Sequence, residues 1–317
     1  MEYRRLGRAG IQVSAIALGS WLTYGTVTEQ ETAKACVHEA FEQGINHFDC
    51  ANVYGSEPHA AERFLAEALA PYRRSEYVLT TKAYWPISPK PNQGGLSRKH
   101  IFDQVETSLK ALNTDYVDIF YCHRADPNTE MEETLRAIDD LVRQGKVLYG
   151  GISEWQPAQI AEALTVQEAL KLNPLRASQP VYNLLNRYIE AGVLPVCESA
   201  GIGLVVFSPL AQGLLTGKYR KGQAVPEGSR ASVAKVSGSM QRLMNDETLD
   251  TIEKLLTVAQ DLNISLSQLA LAWILRQPAV SSALIGASRP EQIKENVKAL
   301  DVKLSQESLD RIETILA

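Results

Sequence analysis

The sequence predicts an α/β fold, specifically a (β/α)8 barrel of the TIM type, and three observations carry that expectation. Short apolar, β-rich runs alternate with longer amphipathic segments. The alternation repeats eight times along the 317 residues. An open doubly wound sheet would usually carry a Gly-rich phosphate turn after its first strand, but here that segment reads Gly19-Ser20-Trp21-Leu22-Thr23-Tyr24-Gly25 and does not fit GxGxxG. Eight units with right-handed crossovers close naturally into a barrel.

The first strand is expected at residues 16–18, followed by a helical pattern over about 29–43. A strand at 46–48 precedes a helix around 60–69, and one at 77–80 precedes a helix over about 98–112. Residues 116–121 are the clearest strand, and 132–143 follow with apolar residues at helical spacing. The strand at 147–149 leads to a helix over about 158–171, and 177–179 to a helix over 187–200. The seventh strand, 204–207, runs into a long insertion. The eighth, 283–285, leads to a helix over 290–299, with additional helices at the C-terminal end. Pro157 and Pro290 stand just inside helix starts, where a missing N–H costs nothing. Gly44 and Gly145 fall just past helix ends, where a left-handed cap is expected.

The insertion between Pro209 and Asp246 is polar and contains Gly, Ser and basic residues. Loops of that length are commonly functional. Its basic residues and its place after the seventh strand suit a phosphate-handling flap; a tolerated surface insertion is the alternative.

Composition bounds the function. Hydrophobic residues make up 45% and charged residues 22%, and 32 Lys+Arg against 37 Asp+Glu give a net charge of −5. That balance argues against nucleic acid or a polybasic membrane surface as partner. Cys36, Cys50, Cys122 and Cys197 form no CxxC pair, so neither a disulfide framework nor a structural zinc site is expected. No stretch approaches the roughly 18–20 apolar residues of a membrane span, and the N-terminus lacks a signal-peptide core. The expectation is one soluble, cytoplasmic domain over 1–317.

In a barrel the C-terminal ends of the strands converge on one mouth, where sites are built. Here those ends read Gly19-Ser20-Trp21, Asp49, Lys82, His123, Ser153, Gln179, Ser208 and Gly286-Ala287-Ser288. A semi-buried Lys82 ammonium needs a carboxylate, and Asp49 is the obvious partner. Tyr54 lies five residues beyond Asp49, within reach of the same mouth. A neighbouring Lys82 cation is expected to lower its pKa from about 10, making it a useful general acid. His123 could donate to a substrate oxygen or relay a proton. A purely structural Asp–Lys pair is the bland alternative, and a metal site another. The histidines at 38, 47, 59, 100 and 123 show no HxxxH or HxH spacing, so no metal is expected. Ser288, Arg289 and the N-terminus of the last helix could face an anion, with Lys218 and Arg230 closing over it. Trp21, Tyr24 and Trp85 are candidate aromatic walls, or core.

These residues resemble the aldo-keto reductases, and within them the group containing the β-subunits of voltage-gated potassium channels and their soluble bacterial and plant relatives. The likeness runs through Phe48-Asp49-Cys50-Ala51-Asn52-Val53-Tyr54-Gly55, Thr80-Thr81-Lys82, Asp115-Tyr116-Val117-Asp118-Ile119 and His123-Arg124-Ala125-Asp126-Pro127-Asn128-Thr129. It continues through Ser208-Pro209-Leu210-Ala211, Gly217-Lys218-Tyr219, Ser229-Arg230-Ala231-Ser232 and Gly286-Ala287-Ser288. The resemblance implies a barrel that reduces aldehydes or ketones with NADPH, using Asp49, Tyr54, Lys82 and His123, with Tyr54 as general acid. It implies Gly19, Ser20 and Trp21 at the nicotinamide end, Ser153 and Gln179 on its carboxamide, and Phe207 as a stacking aromatic. Ser208, Pro209, Leu210, Ala211 and Gln212 would track the pyrophosphate. Lys218, Arg230, Ser288 and Gln292 would surround the 2′-phosphate, beside Gly286, with Glu295 and Asn296 on the adenine. Channel β-subunits of animals commonly carry asparagine at the position of His123 and tryptophan at that of Phe207. Some also have a long N-terminal extension that this chain lacks, and their segment after Trp21 is one residue longer. A homo-oligomer and a role as a redox-sensing channel subunit are the remaining partner expectations.

Overall fold

The computed structural model describes residues 1–21, 24, 28–226, 229–232 and 243–317. A short antiparallel hairpin, β1 (Tyr3–Arg5) with β2 (Gln12–Ser14), precedes eight parallel strands that close on themselves. These are β3 (Ile16–Gly19), β4 (His47–Asp49), β5 (Val78–Ala83), β6 (Val117–Cys122), β7 (Val147–Ser153), β8 (Ala177–Gln179), β9 (Gly203–Phe207) and β10 (Val280–Ile285). Strands β3 to β9 follow chain order around the barrel, and β10 closes it between β9 and β3.

Apart from Leu148 and Tyr149 on β7, both faces of these strands are largely buried, which is why they read as short continuous apolar runs rather than alternating ones. One face packs on the surrounding helices; the other fills the barrel. Ala17, Val78, Ile119, Tyr121, Ala177, Val205 and Leu284 form the inner cluster, and Leu6, Ala9 and Val13 of the hairpin join it as a floor. Filling a barrel demands large side chains opposite small ones. Thus a Cβ at Gly151 would stand 2.6 Å from the Tyr121 ring, so glycine there makes room for the tyrosine. Gly7, with φ +55°, lets the hairpin loop lie against the start of β9, where a Cβ would meet the Gly201 carbonyl oxygen at 2.3 Å. The hairpin is unmarked in the sequence pattern because each strand has only three residues, and β1 is largely exposed and basic.

The helices are α1 (Gln30–Glu42), α2 (Ala60–Leu69), α3 (Arg98–Ala111), α4 (Met131–Arg143), α5 (Pro157–Leu170), α6 (Val193–Ala200), α7 (Asp246–Asp261), α8 (Leu266–Leu275), α9 (Pro290–Val297) and α10 (Gln306–Leu316). Ser97, Asn245, Ser265 and Ser305 cap α3, α7, α8 and α10 by accepting from backbone N–H groups of the first turn. Gly44 and Gly145 take positive φ beyond α1 and α4, as their positions predict.

Two expectations need correction. The single helix over 187–200 is a 3-10 turn, Tyr188–Ala191, then α6, separated at Gly192, whose absent Cβ would meet Pro157 Cγ at 2.6 Å. The helix at 290–299 likewise stops at Val297 and tightens into a 3-10 turn, Lys298–Asp301. Between the end of the expected insertion at Asp246 and β10 stand two helices that the sequence pattern leaves unassigned, α7 and α8, and α8 is buried along its whole length. A helix buried all round has no amphipathic stripe, so hydrophobic periodicity does not announce it.

Candidate active site

The C-terminal ends of the strands place four side chains together. Asp49 is the last residue of β4, Lys82 the fifth of β5, and His123 follows β6 directly. Lys82 Nζ donates to Asp49 Oδ2 at 2.5 Å and to the Cys50 carbonyl at 2.7 Å, with Lys82 fully buried. The other oxygen of Asp49 accepts from Thr80 Oγ1 at 2.6 Å and Gln179 Nε2 at 2.9 Å. The pair is therefore compensated within the protein, as a buried pair must be to persist. Tyr54 sits on the loop after β4 with its hydroxyl 3.3 Å from His123 Nε2.

The electrostatics differ from the sequence expectation in one respect. The Tyr54 phenol is raised well above its usual value, by withdrawal from water first and by the Asp49 and Cys50 side chains next, with Arg124 pulling the other way. Lys82 does not depress it, because its ammonium lies over the ring face, 4.9 Å from the centroid, and is already paired with Asp49. Tyr54 is thus held in its protonated form. His123 is pushed down to about 2 by burial, then by Lys82 and Arg124, so its imidazole is neutral.

The loop carrying Tyr54 is pinned from behind. Glu62, fully buried on α2, accepts from the Thr81 hydroxyl and meets His59 Nδ1 at 2.5 Å. His59 ends the loop in a left-handed conformation, φ 64°, its N–H on the Asn52 carbonyl at 2.6 Å. Along β5 the side chains alternate, so Thr80 and Lys82 enter the barrel while Thr81 faces α2. Glu62 thereby ties the Tyr54 loop to the strand bearing Lys82. Glu62→Ala is expected to lower unfolding stability by roughly 1–3 kcal/mol for each buried group left unpartnered, with turnover falling as well. Urea unfolding checks this, and an unchanged midpoint would contradict it.

A cavity of about 890 Å³ opens above these residues and runs from β3 across to α9. Gly19, Trp21, Asp49, Ser153, Gln179 and Phe207 line it near Tyr54 and His123. Ser208, Pro209, Leu210 and Gln212 form the wall beyond β9. Lys218, Gly286, Ser288, Gln292, Glu295 and Asn296 line its far end. Ser20 and Ala211 stand apart from the lining: Ser20 donates to the Asp49 carbonyl at 2.9 Å, and Ala211 is buried. The side chain of Arg230 lies outside the described residues, although its backbone opens a 3-10 turn, Arg230–Ser232. Of the three candidate aromatic walls, Trp21 and Trp85 line the cavity, whereas Tyr24 is core, its ring 5.1 Å from Phe64. Sequence reasoning passed over Arg124 and Ser229, which also line the cavity, and Thr80 and Glu62 beneath it. Alternation along Thr80-Thr81-Lys82 was the signal for Thr80.

Two features of the wall bear on what it can hold. Ser208, Ala211 and Gln212 take positive φ of 52°, 45° and 57°. Such backbone costs on the order of 1–3 kcal/mol per residue and collects at ligand sites. The Gln212 side-chain oxygen and the Ser229 hydroxyl are buried without a partner, and Lys218 pairs with no carboxylate among the described residues. Among those residues no three His, Cys, Asp or Glu side chains gather as a metal site would require, and no helix is long and apolar enough to cross a membrane.

An eight-stranded parallel barrel with ionisable side chains converging at its mouth is the architecture of barrel enzymes. The aldo/keto reductase family model matches residues 15–317, and the chain belongs to the aldo/keto reductase family. It is similar to a probable voltage-gated potassium channel subunit beta of Oryza sativa subsp. japonica, 42% identical over 321 residues, covering 100% of this chain and 97% of the relative. It is equally similar to an L-glyceraldehyde 3-phosphate reductase of Escherichia coli O157:H7, 42% identical over 325 residues, 100% of this chain and 93% of the relative. A putative voltage-gated potassium channel subunit beta of Schizosaccharomyces pombe is 42% identical over 325 residues.

Proposed function

We propose that this chain is an NADPH-dependent reductase of aldehydes or ketones, with Tyr54 as general acid. The observation that carries the reading is the Tyr54 hydroxyl at 3.3 Å from His123 Nε2, both lining one cavity above the buried Lys82–Asp49 pair. NADPH held along this cavity would provide the hydride for carbonyl reduction. Tyr54 supplies the proton to the carbonyl oxygen as negative charge develops there, and His123 orients that oxygen. Lys82 and Asp49 act beneath: the pair fixes the loop after β4 through the Cys50 carbonyl and places a cation under the Tyr54 ring.

The far end of the cavity fits a phosphorylated dinucleotide. Lys218 offers an ammonium without an acidic partner among the described residues, Ser288 lies just before α9, and Gln212 and Ser229 carry unsatisfied polar atoms. Ser153 and Gln179 would meet the carboxamide, Phe207 the nicotinamide ring, and Arg230, Ser288 and Gln292 the 2′-phosphate. Trp21, Gly19, Ser20, Asp49, Ser208, Pro209, Leu210, Ala211, Gly286, Glu295 and Asn296 complete the proposed contacts. NADPH is preferred because the basic group would lack its phosphate partner with NADH. Lys218→Ala is expected to weaken NADPH binding by about tenfold, the worth of one charge-assisted hydrogen bond, with NADH binding unaffected. Fluorescence titration of both nucleotides checks this, and equal losses for the two would contradict the assignment.

The reading places the protein in the cytoplasm, where its four buried cysteines remain thiols. The names of its plant and yeast relatives favour a second reading, a regulatory subunit of a potassium channel that binds NADP(H) with incidental turnover. Steady-state assays with NADPH across aldehydes and ketones separate the two: turnover supports the reductase, and tight NADPH binding without turnover supports the subunit.

A further inference from the structure

We propose that Arg124 receives an anionic group of the substrate, so that the preferred carbonyl compounds are short aldehydes bearing a phosphate or carboxylate. The inference rests on the reductase reading and narrows its substrate class. Arg124 follows His123 directly and lines the cavity beside Tyr54, His123 and Trp85. Its Nη1 donates to the His123 carbonyl at 2.5 Å, which fixes one edge of the guanidinium. The plane is steadied by the Trp85 ring, 5.5 Å from the guanidinium carbon to the ring centroid, and that ring lies 6.3 Å from the His123 ring. No described carboxylate pairs with Arg124. In a chain with 37 acidic against 32 basic residues, a cavity arginine left without an acid is notable.

The geometry favours a small substrate. Arg124, Tyr54 and His123 line the same cavity, and both the guanidinium and the His123 ring lie within 6.3 Å of the Trp85 ring. A short carbonyl compound can therefore meet Tyr54 and His123 at one end and the remaining N–H groups of Arg124 at the other. A guanidinium suits this task because its planar fork matches carboxylate and phosphate oxygens in pairs. Its charge would also draw anions toward the mouth of a protein that is net negative.

Two matched pairs test the proposal: glyceraldehyde 3-phosphate against glyceraldehyde, and succinic semialdehyde against butanal. kcat/KM is measured with NADPH for wild type, Arg124→Met and Arg124→Lys. The expected result is a wild-type preference for the anionic member of at least one pair by about 10–100-fold, the worth of one or two hydrogen bonds to a charged group. That ratio should collapse toward one in Arg124→Met, chiefly through KM, and return in part with lysine. Which pair shows the larger ratio distinguishes phosphate from carboxylate. Reduction of the neutral aldehydes with no anionic preference in either pair would overturn the inference while leaving the reductase reading intact, as would a ratio that survives in Arg124→Met. Failure to reduce any of the four would overturn the reductase reading and the inference with it.

Discussion

Tyr54→Phe is expected to lower carbonyl turnover by about 10²–10⁴-fold, the usual contribution of a positioned general acid, while NADPH binding is retained. The substitution keeps the ring, and with it the Lys82 ammonium 4.9 Å from the centroid, and deletes only the hydroxyl that meets His123. His123 cannot take over the role: its imidazole is neutral, with its pKa near 2, and holds no second proton to give at working pH. Because the Tyr54 pKa is raised, the acid stays loaded up to strongly alkaline pH. The loss in the variant should therefore persist across neutral pH. Stopped-flow measurement of the hydride step, with nucleotide affinity determined in parallel, checks this. A variant within a few-fold of wild type would remove Tyr54 from the chemistry.

Lys82→Met is expected to cost about 3–5 kcal/mol of stability, because it leaves the Asp49 carboxylate buried without its counter-charge. Both members are nearly inaccessible to water, and the remaining donors to Asp49, Thr80 and Gln179, are neutral. The double variant Asp49→Asn/Lys82→Met should recover much of the loss, since it removes both charges and keeps similar volumes. It should not recover turnover, because the Lys82 bond that fixes the Tyr54 loop through the Cys50 carbonyl is gone. Denaturant unfolding of the three proteins gives the cycle. A single variant as stable as wild type would show that the pair contributes nothing to the fold.

The side chains at the strand ends were legible in the sequence for a topological reason. Once eight βα units are counted, residues at the C-terminal ends of the strands converge on the mouth, which brings Asp49, Lys82, Ser153 and Gln179 together. What the sequence left out depends on orientation or on contacts across the chain. The direction of the Tyr54 shift turns on whether the Lys82 ammonium meets the hydroxyl or the ring face. Glu62 and Thr81 belong to different elements and meet only because α2 packs behind β5. Tyr24 reads like Trp21 in the sequence, yet one packs on Phe64 and the other lines the cavity. Helix α8 escaped because full burial erases periodicity.

The role of Tyr54 in carbonyl reduction is tested most directly by following NADPH oxidation and alcohol formation together, with a panel of aldehydes and ketones, in wild type and Tyr54→Phe. The expected result is one alcohol formed per NADPH consumed by wild type, and near-silence from the variant with its nucleotide still bound. Saturating NADPH binding with no alcohol from any carbonyl in the panel would contradict it.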